Sequence, residues 1–328
     1  MDLETFCRKK IVPRGEKLDY DPKYLKKLFK KLGRQKLLAL RAPREYGGRA
    51  FSREEYFHVT ELLQSYSGAF GFFQRQHQAA AHWIAESERE DLKELWLPLM
   101  AKGSRKVGVS ISLLRDPSFS ALEGSWGEGG VFLKGVMKWV SGYRLFDHLV
   151  LGFFLPEEKR EGMAIIPFQK TRKSKISCPL PILALSSLQT VSIDLRDYFV
   201  SEENILFFSP EGTFAKRATA VESHFVSLSA LALAFSREVE NSDLFDAYLT
   251  CREAFLQRTS EKEALPLYVE MNQIATSYAH HARYSWGSRM LICPNPIERR
   301  IRELLLFSMV LADPATKEAL LEGLLPRT

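Results

Sequence analysis

The residue types that most often do chemistry are present in this 328-residue chain, but few are spaced for it. The seven histidines include His77, His82, His280 and His281, without an H-E-x-x-H pair on one helix face, so a zinc site is not expected. Cys7, Cys178, Cys251 and Cys293 are scattered with no C-x-x-C, which fits reduced, mostly buried thiols rather than a disulfide frame. There is no G-x-S-x-G elbow, no Walker loop, and no G-x-G-x-x-G between a strand and a helix. Gly127–Gly130 lies between two strand-like runs and reads as a turn, not a phosphate cradle. What remains is a set of hydroxyls around a single Trp139, and an acid, Glu222, near a helix start.

The hydroxyls belong to one stretch, residues 106–151. Val107, Val109 and Ile111 point one way while Gly108, Ser110 and Ser112 point the other, the period of a half-buried strand. A Gly-rich turn follows over Glu123–Gly130, and strand character resumes at Val131–Lys134, Val136–Val140 and His148–Phe154. One reading of this stretch is an ordinary β-meander whose Trp fills a core.

The order Ser112, Gly130, Gly135, Trp139, Val140, Ser141 resembles the acyl-CoA dehydrogenase family, whose central β-domain carries a Gly-x-x-x-x-Gly-x-x-x-Trp-[Ile/Val]-[Thr/Ser] segment after a strand ending in Thr or Ser. The resemblance implies that Ser110, Ser112, Trp139, Val140 and Ser141 line the flavin ring of FAD. Other segments agree in order along the chain. Pro43-Arg44-Glu45-Tyr46-Gly47-Gly48 is similar to the family's Pro-x-x-Tyr-Gly-Gly turn. Trp96-Leu97-Pro98-Leu99-Met100-Ala101-Lys102-Gly103 resembles the exit from its N-terminal helical domain. Thr190–Val200 with Glu203-Asn204-Ile205-Leu206 resembles its closing strand and tail, Ser201 standing where Pro is usual.

The resemblance is weakest where the reaction would occur. In the family a carboxylate removes the Cα proton of an acyl thioester while the flavin accepts hydride from Cβ, so the base must be tuned toward neutrality. Counting on from Arg302-Glu303, the usual base position falls on Leu311, which cannot accept a proton, and Asp313 is turned away from it. Some members place the base on the first C-terminal helix before an Arg; the equivalent pair here is Glu222-Ser223, making Glu222 the candidate base. The alternative is that Glu222 is a first-turn acid favoured by the helix dipole. The acid-bearing loop after Ser112 is replaced by Leu113-Leu114-Arg115-Asp116, and the family's Gln-x-x-Gly-Gly-x-Gly turn by residues 281–288 with only Gly287 kept. The Arg-x-x-Phe-Gly segment that reaches the FAD pyrophosphate has no counterpart between Ser242 and Pro266.

These readings sit on helical and strand elements in a clear order. Residues 1–20 read as a loose lead-in. Asp21-Pro22 opens a helix that ends near Gly33, Ser52 and Glu55 form a capping box, and Gly68–Ala85 and Glu86–Ala101 are further helices. Tyr56, Val59, Leu62 and Leu63 form the apolar stripe of the capped helix. Gly162–Pro167 is a strand, Lys170–Lys175 a charged loop and Thr190–Val200 the last strand. Helices then cover Val221–Glu240, Asp243–Arg258, Glu261–Gly287 and Pro296–Ala312, with a short one after Pro314. The expected architecture is α+β: an N-terminal helical domain over 1–103, a central β-barrel-like domain over 104–208 and a C-terminal helical bundle over 209–328.

Composition narrows the partners. With 45% hydrophobic residues the chain can bury a large core, and no run of about 18 apolar residues exists to span a membrane. The start MDLETFCRKK lacks an apolar signal region, so a cytoplasmic location is expected. The net charge of +6 is concentrated between Arg8 and Arg44, where Lys26, Lys27, Lys30 and Lys31 alternate with Leu25, Leu28, Phe29 and Leu32. That pattern reads as a solvated helix face more readily than as a nucleic-acid site. Leucines from Leu304 to Leu325 exceed one core stripe and imply a homodimer or homotetramer. The sequence thus reads as a divergent, C-terminally shortened acyl-CoA dehydrogenase-like flavoprotein acting on an acyl thioester or similar small molecule, with an electron-accepting protein as a further partner. A degenerate, non-catalytic homologue serving binding or assembly is the alternative.

Overall fold

The computed structural model describes residues 2–114, 122–214 and 219–309, together with residues 318, 320 and 321. Helices come first. The lead-in is ordered rather than loose: α1 (Leu3–Phe6), turns over Cys7–Ile11 and Val12–Arg14, and α2 (Gly15–Tyr20) bury Phe6, Cys7, Ile11 and Leu18. The segment's four core anchors stand among charged residues, so the loose lead-in expected from the sequence understated its order. Asp21 caps α3 (Pro22–Arg34) by accepting from the Lys23 amide, and Pro22 fills a position where a missing N–H costs nothing. Tyr46 leads into Gly47 at φ 82°, and a Cβ on Gly48 would sit 2.0 Å from the Ala42 carbonyl oxygen; both glycines are demanded by the turn.

Ser52 and Glu55 form the reciprocal capping box of α4 (Arg53–Tyr66). The buried face of α4 carries Phe57, Thr60, Glu61, Leu63 and Gln64, so it is rotated toward polar residues relative to the expected stripe. Helices α5 (Gly68–Ala85) and α6 (Glu90–Ala101) follow, α5 packing on α4, α6 and the first strand. His77 of α5 is buried between the Met100 and Val107 carbonyls, at 3.1 Å from each, and stitches α6 to that strand. Burial holds its imidazolium down at about 4.

The centre is one eight-stranded sheet: β1 (Val107–Ser110), β2 (Leu122–Gly127), β3 (Gly130–Val140), β4 (His148–Leu155), β5 (Arg160–Pro167), β6 (Ser174–Ile176), β7 (Val191–Ser201) and β8 (Ile205–Pro210). Its order is β6-β7-β3-β2-β4-β5-β8, with β1 pairing parallel to β4. Three expectations are corrected here. The Gly-rich run before Glu128 is a strand paired with β3, its glycines leaving room for Val131 and Phe153 side chains. The charged loop contributes β6, and β7 is followed by β8, so the tail after Ser201 is part of the sheet.

The remaining described helices are α7 (Thr219–Ser236), α8 (Ser242–Gln257), α9 (Ala264–Trp286) and α10 (Pro296–Met309). Helix α7 packs on α4, α9 and α10, its small residues Ser227, Ser229, Ala230 and Ala232 allowing close approach. Asp19 ties all three parts together, accepting from the Leu185 amide at 2.8 Å and from the Arg302 guanidinium at 2.7 Å. Glu61 does the same among helices: it accepts from Tyr248 at 2.9 Å, pairs with Arg252 at 2.9 Å and bonds the Ser229 hydroxyl. Leu311, Asp313, Arg115, Asp116, Leu324 and Leu325 lie outside the described residues. No helix among the described residues is long and apolar enough to cross a membrane.

Candidate functional site

Strand β3 alternates faithfully at first. Val131, Leu133 and Met137 are buried while Phe132, Lys134, Val136 and Lys138 are exposed. The alternation breaks between Met137 and Val140, where the pairing with β7 slips. The residue at the slip is Trp139, at φ +60° and 55% exposed. A bulky side chain in the left-handed region is strained by about 1–2 kcal/mol, and a bulge is the usual means of re-aiming one. The indole therefore does not fill a core, which removes the meander reading of this strand.

The hydroxyls gather near both ends of this bulge. Ser110, at the end of β1, is buried and its Oγ lies 3.7 Å from the Met137 sulfur, joining β1 to β3. Ser141 Oγ lies 3.0 Å from Thr190 Oγ1, and Val140 between them is buried opposite Val191. The next residue, Gly142, has φ +94° and donates to the Leu188 carbonyl at 2.6 Å, fixing the path of the chain after the serine. Ser112 is exposed and opens the turn Ser112–Leu114, which packs on β4. The result is an exposed indole at the bulge, with Ser110 tied to Met137 two residues before it and Ser141 tied to Thr190 two residues after it. That chemistry suits a planar heteroaromatic ligand with a polar edge, as a flavin ring is. Met137 and Thr190 are the members that sequence reasoning missed. Thr190 was in view as the start of the last strand, whereas nothing local marks Met137 as a sulfur partner for Ser110.

Glu222 is built differently. It lies in the first turn of α7 and its Oε1 accepts from Arg53 Nε at 2.6 Å and from Arg258 Nη2 at 2.5 Å. Arg258 is itself buried, with its guanidinium 3.9 Å from the Phe255 ring centre, and Phe255 stacks on Phe225 at 3.6 Å. The guanidinium that Ser223 cannot supply in sequence is thus supplied in space, twice. Neither Arg53 nor Arg258 stands near Glu222 in the chain, so no spacing rule could have found them. Next to this pair, Arg75 of α5 is buried and donates to the Ser223 carbonyl and, at 2.7 Å, to Ser227 Oγ. Burial pushes the Arg75 guanidinium down to about 10, with the half-buried Tyr56 partly offsetting it. The hydrogen bonds of Glu222 run to α4 and the end of α8, and those of the Trp139 group stay within the sheet and its loops.

No group of three or more His, Cys, Asp or Glu side chains able to hold a metal is present among the described residues. Toward the phosphates of a dinucleotide the fit is thinner. Gly287, at φ +55°, ends α9 and is flanked by exposed Arg283 and Arg289.

With this geometry established, comparison with known proteins is decisive for the fold. Residues 2–104 match the family model described as acyl-CoA dehydrogenase, N-terminal domain. The chain superimposes on an acyl-CoA dehydrogenase from Geobacillus kaustophilus with a TM-score of 0.79 at 14% identity, over 98% of this chain and 95% of that one. The fold is that of the acyl-CoA dehydrogenases. Butyryl-CoA dehydrogenase from Megasphaera elsdenii gives a TM-score of 0.79 at 14% identity, over 99% and 96% of the two chains. A structure titled for the electron transferring flavoprotein of Acidaminococcus fermentans gives 0.82 at 15% identity, over 99% and 96%. No curated protein sequence matches the chain. The acyl-CoA dehydrogenase-like fold is therefore present over nearly the whole chain at 14–15% sequence identity.

Proposed function

We propose that this chain is an FAD-binding protein of the acyl-CoA dehydrogenase type that oxidises an acyl thioester or a related carbon acid. The observation that carries the reading is Trp139, held out at positive φ by a bulge in the sheet, with hydroxyls on either side. Backbone strain at an exposed aromatic would find a use beneath a planar ligand. When bound, FAD supplies the hydride acceptor. Trp139 would cover the ring by packing, while Ser112 and Ser141 would bond its polar edge, with Ser110 and Val140 forming the floor. Glu222 is the carboxylate proposed to take the Cα proton, with Arg53 and Arg258 setting its position. Self-association through leucines such as Leu305 and Leu321, both exposed, and hand-off of electrons to a protein acceptor belong to the same proposal.

The test is direct. Protein purified with added FAD should be yellow and bind about one flavin per chain, and anaerobic acyl thioester should bleach it. A colourless protein that takes up no FAD on titration defeats the proposal.

A second reading is favoured by Glu222 itself. Two guanidiniums already occupy one carboxylate oxygen, at 2.6 Å and 2.5 Å, so the atom that would take a proton is engaged in ion pairs within the protein. On that reading the chain keeps the flavin face and has lost the oxidation. Bound flavin that no acyl thioester bleaches would select it.

A further inference from the structure

The N-terminal domain carries a second concave feature, remote in kind from the flavin face. A cleft of about 580 Å³ opens between the turns around Arg14 and helix α3. Six of its nine lining residues are cationic (Arg14, Lys17, Lys27, Lys30, Lys31 and Arg34), and none of the nine is acidic. The ring of Tyr24 sits among them, with the Lys17 ammonium 5.6 Å and the Lys27 ammonium 5.7 Å from its centre.

A solvated helix face accounts for only half of this. Leu25, Leu28, Phe29 and Leu32 turn inward on α3, so Lys27, Lys30 and Arg34 must lie outward or at its border. The amphipathic pattern does not explain why Arg14 and Lys17, on separate preceding turns, are brought to the same concavity. Fourteen-to-thirty-four thus converges its charges instead of spreading them. Convergence is costly: Lys31 is pushed below the ordinary lysine value by burial and by repulsion from Lys10, Arg14, Arg34 and Lys27. An arrangement of like charges around a cavity focuses a positive potential that an anion relieves.

We propose that this cleft binds a small ligand carrying two or more adjacent phosphates, with Tyr24 available to stack on a ring if the ligand bears one. The size decides the class. A volume of this order holds a small molecule, whereas a duplex or a membrane surface would be met by an extended or flat basic face. Lysines dominate the lining, and they serve phosphates as flexible point charges. The two arginines add fixed forks at opposite ends of the segment.

The experiment is calorimetric titration of the full-length chain with inorganic triphosphate, ATP and sulfate at about 50 mM salt and matched ionic strength. One triphosphate should bind per chain, more tightly than sulfate by roughly tenfold or more, as adjacent charges on one ligand meet several cations. Lys27→Glu with Arg34→Glu, both exposed positions, should weaken triphosphate by at least about tenfold, with a thermal midpoint no lower than wild type and FAD uptake unchanged. Tyr24→Ala separates the sources: loss of ATP affinity with triphosphate retained marks a nucleotide site, and equal retention of both marks an inorganic or non-aromatic polyphosphate. The proposal is overturned by absence of saturable binding, by sulfate matching triphosphate, or by indifference to the double charge reversal. Tighter binding of a DNA duplex than of triphosphate would overturn it in favour of nucleic acid.

Discussion

The strand face at Trp139 and the helix start at Glu222 are built on opposite terms. Around Glu222 every described charge has a partner: two guanidiniums meet one carboxylate, and a stacked pair of phenylalanines packs beneath one of them. Around Trp139 the backbone is strained and the largest side chain of the strand is left in solvent. Folding rewards the first arrangement and penalises the second. A feature that folding penalises has to be maintained for another reason, so the strand face is the better guide to function and the helix start the better guide to stability.

The comparison can be broken hardest on its helical side. Glu61 is almost fully buried and serves Ser229, Tyr248 and Arg252, from two helices that must dock on α4. Glu61→Ala leaves the Arg252 guanidinium without its carboxylate and should cost about 3–5 kcal/mol in urea denaturation with the slope unchanged. A loss under about 1 kcal/mol would show that paired charges do not hold this region.

A pH scan sharpens the same point. Glu303 of α10 is buried, and burial pushes its carboxyl up to about 7 despite Arg299 at 3.6 Å. A carboxyl raised above its unfolded value contributes stability that is full below about 4.5 and lost as pH rises to about 7. His77 acts in the opposite sense: held down at about 4, it costs stability as pH falls from 6.5 toward that value. The two slopes oppose each other between pH 4.5 and 6.5, so the wild-type melting curve alone would conceal both. Glu303→Gln removes one of them. Its melting temperature relative to wild type should therefore climb by a few degrees between pH 4.5 and 7. A difference that stays flat across that window would mean the carboxyl is ionised throughout.

Glu222→Gln keeps the shape and removes the charge. The buried Arg258 then bonds an amide, and stability should fall by about 1–2 kcal/mol. If Glu222 is only structural, the rate at which acyl thioester reduces bound flavin will not change beyond that of the wild type. A fall of roughly a hundredfold in that rate, with flavin still bound, would instead make it the base.

Much of this organisation is legible in the amino-acid sequence. Asp21-Pro22, Ser52 with Glu55, and Gly68–Ala85 specify their helices through local chemistry, and local chemistry is what a linear reading sees. The strand-like runs Val131–Lys134 and Val136–Val140 both fall within β3. The lead-in was misjudged because its core anchors, Phe6, Ile11 and Leu18, are separated by charges and meet only in three dimensions. β6 and β8 were missed because each is short and sits at a sheet edge, where pairing with a distant strand outweighs local preference. The Glu222 clamp was invisible for the same reason: its partners lie 169 and 36 residues away.

The smallest effect is the most discriminating, because two of its consequences have opposite signs. Trp139→Gly removes the Cβ that makes φ +60° costly while giving up a side chain that is more than half exposed. Stability should rise by up to about 1 kcal/mol, part of the relieved strain being offset by the greater freedom of glycine in the unfolded chain. FAD affinity should fall by about tenfold, since the ring loses its aromatic cover. Trp139→Ala supplies the control: it keeps a Cβ at the strained position, so it should lose FAD to the same degree without gaining stability. Denaturation and flavin titration on the pair decide the matter. If glycine lowers stability instead, the indole is serving the fold, and the contrast between the strand face and the helix start disappears.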